Sequence, residues 1–276
     1  MQIPLIGFGT YQLSGQVCYD AVLTALRVGY RHIDTAANYR NEDIVARAIE
    51  DSGIPRSEIY LVSKLQPRDA SSTESAYNAA LQSLSRLRTD YLDLYLIHWP
   101  ACAGINLQSP EQKLVRLQSW RALERLHSEG KARAIGVSNF LERHLAGILD
   151  ECQIAPSVNQ FEFHPLLVDH ELVSFCASNG IQIESYSPIA QADPALLKHA
   201  DMKRIGKVHN KTPAQIALRW IVQQKIVAIP RSSNPERIKE NFEISDFELS
   251  PDEMDTISRI HQVTTKRICW DPNTVA

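Results

Sequence analysis

Eight short apolar runs rich in Ile, Val, Leu and Tyr recur along the chain, and most are followed by a longer amphipathic stretch. Several of these runs show little alternation of polar and apolar residues, which is typical of parallel strands covered on both faces. The pattern therefore predicts repeated βα units in an α/β fold. The runs are Leu5–Gly9, Arg31–Thr35, Ile59–Lys64, Leu92–His98, Ala132–Val137, Ser157–Glu162, Ile181–Ser185 and Ile226–Ile229.

Helix boundaries are legible between these runs. The segments from Thr212 to Gln215 and from Ser250 to Glu253 each place a capping hydroxyl before a first-turn proline and a capping-box side chain. A glycine also follows several helical patterns just before the next strand, as is common at helix C-termini. These glycines are Gly29, Gly53, Gly130 and Gly180.

Eight parallel strands can close into a barrel or lie in an open, doubly wound sheet, and the pattern alone does not decide between the two. No GxGxxG motif follows an early strand, so a dinucleotide site of the doubly wound type has no support. No low-complexity linker or charge block divides the chain. We therefore expect a (β/α)₈ TIM barrel that forms a single domain over residues 1–276.

The charge balance argues against partners that need a broad electrostatic surface. Lys and Arg number 29 against 32 Asp and Glu, so neither nucleic acid nor an anionic membrane is an expected partner. The five cysteines are far apart and never in a CxxC arrangement, which argues against a disulfide framework and a zinc cluster. The first ten residues are too lightly apolar for a cleavable signal, and no run of about 18 apolar residues occurs. We expect a cytoplasmic protein with reduced thiols.

Polar residues stand at or just after the ends of the second, third and fourth runs. Asp34 lies near the end of the second run, and Tyr39 lies in the loop that follows. Lys64 and His98 close the next two runs. The C-terminal ends of barrel strands supply the reactive groups of this architecture, so the four side chains are expected on one rim. Taken singly, each is equally well explained as a capping or rim residue.

Together the four residue types can form an acid–base apparatus. A phenol has a pKa of about 10, and an adjacent ammonium lowers it, so Lys64 is expected to make Tyr39 a better proton donor. A partly buried lysine needs a counter-charge, which Asp34 would provide. His98 would orient a carbonyl oxygen toward the phenol.

These residues lie within motifs that resemble those of the aldo-keto reductase family. The first motifs are Gly29-Tyr30-Arg31-His32-Ile33-Asp34-Thr35-Ala36, then Tyr39, Val62-Ser63-Lys64-Leu65 and Leu96-Ile97-His98-Trp99-Pro100. The later ones are Gly136-Val137-Ser138-Asn139-Phe140, Val158-Asn159-Gln160, Glu162 with His164-Pro165, Tyr186-Ser187-Pro188, Ile229-Pro230-Arg231-Ser232, Arg237 and Glu240-Asn241. The resemblance spans essentially the whole chain.

The resemblance implies a barrel that binds NADPH in an extended form across its C-terminal mouth and passes hydride to a substrate carbonyl. By motif position Tyr39 is the general acid, with Lys64 and Asp34 as its electrostatic support. His98 is the orienting group. A monomer is the default for the family, and the chain looks most similar to its compact microbial members, including the 2,5-diketo-D-gluconate reductases.

Further motif positions imply cofactor contacts. Ser138, Asn139 and Gln160 match the residues that hydrogen-bond the nicotinamide carboxamide, and Tyr186 matches the aromatic residue that stacks on the ring. Arg231 replaces the more usual lysine of the 2′-phosphate pocket, and because guanidinium binds phosphate in bidentate fashion, NADPH is expected over NADH. The complete set of expected cofactor residues is Gly9, Thr10, Ser138, Asn139, Gln160, Tyr186, Ser187, Ile189, Asp193, Arg231, Ser232, Ser233, Arg237, Glu240 and Asn241.

Substrate contacts are expected from Tyr11, Trp99 and Trp270, which would give an open, aromatic pocket with broad specificity. Trp99 is also explained as a partly core residue and Trp270 as an anchor of the tail. Tyr11 stands where many family members have tryptophan. Arg40 and Ala190 stand where the family often has glycine, and Arg40 either faces solvent or meets an acidic substrate group.

Two other functions remain open at this point. Barrels of this family also serve as non-catalytic, cofactor-bound regulatory subunits or as structural proteins, although the four acid–base residues speak against that role here. A metal-dependent barrel hydrolase could use His32, His98 and His164, but their spacing forms no paired ligand motif, and no metal is expected.

Overall fold

The computed structural model describes residues 2–276, so Met1, the first residue of the segment considered as a signal, lies outside it. Its core is one sheet of eight parallel strands, in which neighbours in space are also neighbours in sequence. The strands are β1 (Phe8–Gly9), β2 (His32–Asp34), β3 (Tyr60–Leu65), β4 (Leu92–Ile97), β5 (Ala132–Ser138), β6 (Val158–Glu162), β7 (Gln182–Tyr186) and β8 (Val227–Ala228).

Hydrogen bonds between the residues just before β1 and the last strand, β8, close the sheet. The amide of Gly7 donates to the carbonyl oxygen of Ala228 at 2.8 Å, and the amide of Ala228 donates to that of Leu5 at 2.9 Å. An open sheet keeps its two edge strands apart, so these bonds decide between the two architectures that the sequence pattern allowed. The predicted (β/α)₈ barrel is confirmed.

Helices cover the outside of the barrel, and both predicted capping boxes are present, at Thr212 and Ser250. None of the helices in residues 2–276 has the combined length and apolar character needed to cross a membrane. The helices are α1 (Gly15–Val28), α2 (Glu42–Asp51), α3 (Thr73–Arg86), α4 (Glu111–Ser128), α5 (Glu142–Leu149), α6 (His170–Ser178), α7 (Pro194–Leu197), α8 (Ala200–His209), α9 (Pro213–Gln223), α10 (Pro235–Phe242), α11 (Pro251–Ser258) and α12 (Ile260–Val263).

Strand residues alternate between the barrel interior and the layer beneath the helices. Val62 of β3 packs with Leu94 and Leu96 of β4 in a small cluster of their own. The intervening residues Leu61 and Tyr95 belong to the larger core that the helices cover. Because both faces are buried, the strands appear in the sequence as nearly continuous apolar runs.

The first and last strands are shorter than the predicted Leu5–Gly9 and Ile226–Ile229, because they pair over only a few residues where the barrel closes. Gln160, one of the expected carboxamide contacts, lies in the middle of β6. Its side chain bonds to residues of β2 and β7, which places it within the barrel.

Gly136 of β5 is packed too closely to carry a side chain. A Cβ atom here would lie 2.5 Å from the carbonyl oxygen of Val158 and 2.9 Å from Cδ2 of Leu96. The backbone contact cannot relax without disturbing the pairing of β5 with β6. We expect Gly136→Ala to lower the free energy of unfolding by about 2 kcal/mol, measured by chemical denaturation.

Gly147→Ala is the matched control. This glycine lies inside α5, where a Cβ atom would be 3.6 Å from Cε of Lys113, an ordinary contact. Alanine in a helix interior is about 0.5–1 kcal/mol more favourable than glycine, so this variant is expected to be the more stable one. Equal effects of the two substitutions would contradict the packing described for Gly136.

Candidate active site

Lys64 contacts both Asp34 of β2 and Tyr39 in the loop after β2, at the C-terminal mouth of the barrel. Its Nζ donates to Oδ1 of Asp34 at 2.6 Å and to the carbonyl oxygen of Thr35 at 2.9 Å. A longer contact of 3.4 Å reaches the phenol oxygen of Tyr39. An ammonium has three N–H donors, so each is matched to one of these oxygens. The side chains of Lys64 and Asp34 are buried.

The register of the strands produces this arrangement. Asp34 lies opposite Val62 in the pairing of β2 with β3. Lys64 is two residues farther along β3, and residues two apart share one face of a sheet. Tyr39 ends a short 3₁₀ turn that follows β2 and so reaches back over the strand ends.

The loop that carries Tyr39 is held by Asn41, which the sequence analysis missed. The hydroxyl of Thr35 donates to Oδ1 of Asn41 at 2.7 Å. Nδ2 of Asn41 donates to the carbonyl oxygens of Thr10 at 3.0 Å and Leu13 at 2.9 Å. Asn41 is fully buried, so these bonds replace its contacts with water and fix the loop.

Burial controls the protonation of Tyr39. It raises the pKa of the phenol well above the usual 10, and the negative charge of Asp34 acts in the same direction. The expected lowering of this pKa is therefore wrong for the free protein, because desolvation of the phenol dominates. Tyr39 is protonated at neutral pH, as a proton donor must be, and Lys64 is placed to stabilise the phenolate as it forms.

His98 directly follows β4 and faces Tyr39. The two ring centroids are 5.5 Å apart, with the rings close to perpendicular. Burial and the charge of Lys64 lower the pKa of the imidazole to about 3, so the ring is neutral at physiological pH. A neutral imidazole carries one N–H donor, which suits His98 to binding a carbonyl oxygen.

Gln160 and Glu184 continue the polar cluster into the barrel interior. Nε2 of Gln160 donates to Oδ2 of Asp34 at 2.9 Å and to Oε1 of Glu184 at 3.1 Å. Glu184 lies on β7 and is fully buried. Burial and the negative charge of Asp34 raise the pKa of its carboxyl group to about 8. At neutral pH the interior therefore holds one ammonium, one carboxylate and one neutral carboxylic acid.

Ser138 and Asn139, the other two predicted carboxamide contacts, are hydrogen-bonded to each other, and Asn139 is also bonded to Tyr186. The hydroxyl of Ser138 donates to the carbonyl oxygen of Gln160 at 2.9 Å. Nδ2 of Asn139 donates to the carbonyl oxygen of His98 at 2.9 Å and to Oγ of Ser138 at 3.0 Å. The hydroxyl of Tyr186 donates to Oδ1 of Asn139 at 2.7 Å. This network fixes the ring of Tyr186 at the mouth.

Arg231 and the start of α10 form a second cluster, which corresponds to the expected 2′-phosphate pocket. The exposed guanidinium of Arg231 donates to the carbonyl oxygen of Tyr11 and to Oε1 of Gln12, both at 3.0 Å. Asn234 caps α10 by accepting a hydrogen bond from the amide of Arg237 at 2.9 Å. A cation beside a helix N-terminus is a favourable setting for an anion.

The remaining predicted members of this pocket differ in accessibility. Ser233 and Arg237 are exposed, whereas Ser232 and Asn241 are buried. Glu240 is partly buried and accepts a hydrogen bond from the N-cap threonine of α9 at 2.6 Å. Ser233 and Arg237 are therefore accessible to an approaching phosphate or adenine, while Glu240 already has an internal partner.

Gly9 and Thr10 lie where β1 ends. The amide and the hydroxyl of Thr10 both donate to the carbonyl oxygen of Asp34 at 3.0 Å, so Thr10 fixes the backbone of β2. A Cβ atom on Gly9 would lie 3.1 Å from the carbonyl oxygen of Ile229 and 3.7 Å from Cβ of Arg231. Glycine at this position leaves room for the segment that carries Arg231.

The loop after β7, which carries the expected cofactor residues Ser187 and Ile189, has an unusual backbone. Four non-glycine residues between positions 187 and 192 have φ angles of 48° to 62°. One is Ala190, which stands where the family has glycine, and a left-handed alanine costs about 1–2 kcal/mol. The hydroxyl of Ser187 lies 3.6 Å from Sγ of Cys269, and Ile189 packs against the core.

The segment after α12 is tied across the same end of the barrel. Glu162 accepts hydrogen bonds from the amides of Ile268 at 2.6 Å and Cys269 at 2.9 Å. Asp193 forms an ion pair with Lys266. Asp193, one of the expected cofactor residues, thus links the loop after β7 to the C-terminal segment.

Aromatic residues occur at the mouth of the barrel. The ring of Tyr11 lies 5.1 Å from that of Tyr39, and the rings of Trp99 and Trp270 meet edge to face at 6.3 Å. Trp270 is 84% exposed and Tyr11 50%, and Trp99 is only partly buried. The mouth is therefore open and aromatic. Arg40 is exposed, with a left-handed φ of 57°.

The three histidines considered as metal ligands have separate surroundings. His32 is fully buried inside the barrel, and His98 faces Tyr39. His164 is bonded to Glu162 at 2.9 Å. Within residues 2–276, no three side chains of His, Cys, Asp or Glu are grouped so as to hold a metal ion.

Glu184 and Asn41 are the main site residues that the sequence analysis did not identify. Glu184 is the one acidic residue within the apolar run Ile181–Ser185, and a charge in such a run was an available signal. Asn41 left no comparable signal, because an asparagine directly before a helix is first of all a capping residue.

Comparisons with known proteins agree with this geometry. The model of the aldo/keto reductase family matches residues 5–262. Glyoxal reductase of Bacillus subtilis is 43% identical over 263 residues, which cover 95% of this chain and 90% of that protein. Glycerol 2-dehydrogenase (NADP(+)) of Saccharomyces cerevisiae is 40% identical over 291 aligned residues, covering 99% and 92%. The crystal structure of MGS-M4, an aldo-keto reductase from a Medee basin deep-sea metagenome library, superposes with a TM-score of 0.92 at 42% identity, covering 100% and 97%.

Proposed function

The chain belongs to the aldo/keto reductase family, and we propose that it reduces aldehyde or ketone groups of small molecules to alcohols with NADPH, Tyr39 being the general acid. The observation that carries this proposal is the ammonium of Lys64, which bridges the carboxylate of Asp34 and the phenol of Tyr39 beside the neutral ring of His98. NADPH, when bound, would supply the hydride that the carbonyl carbon accepts.

The residues of this chain manage the proton and the charge of that reaction. His98 offers a neutral N–H to the carbonyl oxygen and holds it near the phenol. As negative charge develops on that oxygen, Tyr39 gives up its proton to it. The phenolate left on Tyr39 is then stabilised by Lys64, whose own charge is kept in place by Asp34. The reverse sequence oxidises an alcohol.

The residues present fit a nicotinamide cofactor in several respects. The amide oxygen of Gln160 accepts no hydrogen bond from the described residues, whereas its nitrogen is fully used. The exposed guanidinium of Arg231 and the N-terminus of α10 are both suited to bind a phosphate. Because a guanidinium matches the oxygens of a phosphate in bidentate fashion, the pocket favours NADPH over NADH. The yeast relative is likewise named for NADP(+).

The open aromatic mouth favours a broad range of small carbonyl substrates. Tyr11, Trp99 and Trp270 supply apolar surface around the phenol. The B. subtilis relative is a glyoxal reductase, which is consistent with small aldehydes. We propose that the protein acts as a monomer, the default state of the family. The five free cysteines fit a reducing compartment such as the cytoplasm.

A non-catalytic, cofactor-binding role is the alternative. It requires no proton donor at the mouth, and it gives no reason for a lysine and an aspartate to be buried next to a tyrosine. The full acid–base set therefore favours catalysis.

We expect Tyr39→Phe to lower kcat for aldehyde reduction by about 10²- to 10⁴-fold, because the variant lacks the proton donor. The dissociation constant of NADPH, measured by quenching of protein fluorescence, is expected to remain unchanged. Tyr19→Phe is the matched control, since Tyr19 bonds to Asp51 at 2.7 Å on the exposed surface. Equal turnover by wild type and Tyr39→Phe would reject the assigned role.

We expect Arg231→Ala to raise the KM for NADPH by about tenfold or more while leaving the KM for NADH nearly unchanged. The lost interaction is a charge-assisted bond to a phosphate that NADH does not have. Lys239→Ala, which removes an exposed cation from α10, controls for net charge. A parallel rise in both KM values would place the 2′-phosphate elsewhere.

A further inference from the structure

The amide of Gln160 is held at two points by carboxyl groups. Its nitrogen donates one hydrogen to Oδ2 of Asp34 and the other to Oε1 of Glu184. The register of β6 with β7 places Gln160 directly opposite Glu184. Gln160 is 2% exposed and Glu184 is fully buried, so neither bond competes with bulk water.

The acceptors decide which way the amide faces. Asp34 is ion-paired with Lys64, and an ionised carboxylate accepts hydrogen bonds but cannot donate. The amide atom next to it must therefore be the nitrogen. One such bond leaves the planar amide free to swing about its last torsion, whereas the second bond, to Glu184, fixes its plane. The oxygen is then turned away from both carboxyl groups.

We propose that Glu184 is a positioning residue for the nicotinamide: with Asp34 it occupies both N–H groups of Gln160 and so presents the amide oxygen as an acceptor for the N–H₂ group of the carboxamide. This inference rests on the proposed function. Glu184 would thereby select, at this position, a ligand group that carries an N–H donor. Glu184 acts through Gln160, and we assign it no contact of its own with cofactor or substrate.

The surroundings of Glu184 show that it is not placed there for an ion pair. The closest cation-forming group is His32, whose Nε2 lies 3.6 Å from Oε1. Burial lowers the pKa of His32 to about 4, so this imidazole is neutral. Oε2 of Glu184 has no hydrogen-bond partner within the described residues. The bond to Gln160 is thus the one well-formed hydrogen bond that the carboxyl group makes.

The experiment compares two oxidised cofactors that differ only in this group. NADP⁺ carries a carboxamide, whereas 3-acetylpyridine adenine dinucleotide phosphate carries a methyl ketone, which keeps the carbonyl and lacks the N–H₂ donor. Dissociation constants are measured by isothermal titration calorimetry, so that no turnover is involved. We expect wild type to bind the acetyl analogue about tenfold more weakly, the effect of roughly one hydrogen bond.

Glu184→Leu removes the acceptor. The preference for NADP⁺ over the acetyl analogue, taken as the ratio of the two dissociation constants, is expected to fall at least threefold. Glu184→Gln keeps an acceptor oxygen and is expected to restore it, which general damage to the fold would not allow. Glu184→Met is a second acceptor-free variant for the case in which leucine does not pack. Glu124→Leu removes a buried glutamate that bonds to the amides of Gln153 and Ile154, and it is expected to leave the preference unchanged.

The outcomes separate the two proposals. Wild type that binds NADP⁺, with an unchanged preference in folded Glu184→Leu or Glu184→Met, overturns the role of Glu184 alone. Wild type that binds no NADP⁺ overturns the proposed function and this inference with it. A preference lost in both acceptor-free variants and kept in Glu184→Gln supports the inference.

Discussion

The buried ion pair of Lys64 and Asp34 is the interaction on which the site depends. Removing two charges from water is costly, and it is tolerated only where the pair is close and its remaining hydrogen-bonding capacity is used. Both conditions hold here, since Lys64 also binds Thr35 and Tyr39, and Asp34 also binds Gln160. The pair therefore joins the proton donor to the residue expected to bind the nicotinamide.

Charge is balanced closely inside the barrel. Burial and the negative charge of Asp34 raise the pKa of the second acid, Glu184, so it holds its proton at neutral pH. The imidazoles of His32 and His98 are neutral for the same reason of burial. Tyr39 likewise remains protonated in the free protein. In the free protein these groups are therefore uncharged apart from the ion pair of Lys64 and Asp34. The proposed reaction creates the phenolate of Tyr39, which Lys64 is placed to stabilise.

Much of this could be predicted from the sequence, and the reasons are physical. The apolar runs and the capping boxes are local signals, so the βα units and the N-termini of α9 and α11 could be predicted. Asp34, Lys64 and His98 were found because strand ends in a barrel converge. Barrel closure was not decided by local pattern, because the bonds of Gly7 with Ala228 join residues far apart in the chain. The direction of the pKa shift of Tyr39 was wrong, because desolvation depends on the packed surroundings.

The most direct measurement is a double-mutant comparison of Lys64→Met, Tyr39→Phe and the double variant in aldehyde reduction at saturating NADPH. If Lys64 acts through the phenol, the double variant loses no more kcat than the more damaged single variant, because the two residues work as a unit. If the two losses multiply, Lys64 and Tyr39 act independently, and the account of a phenol supported by a buried ammonium is contradicted.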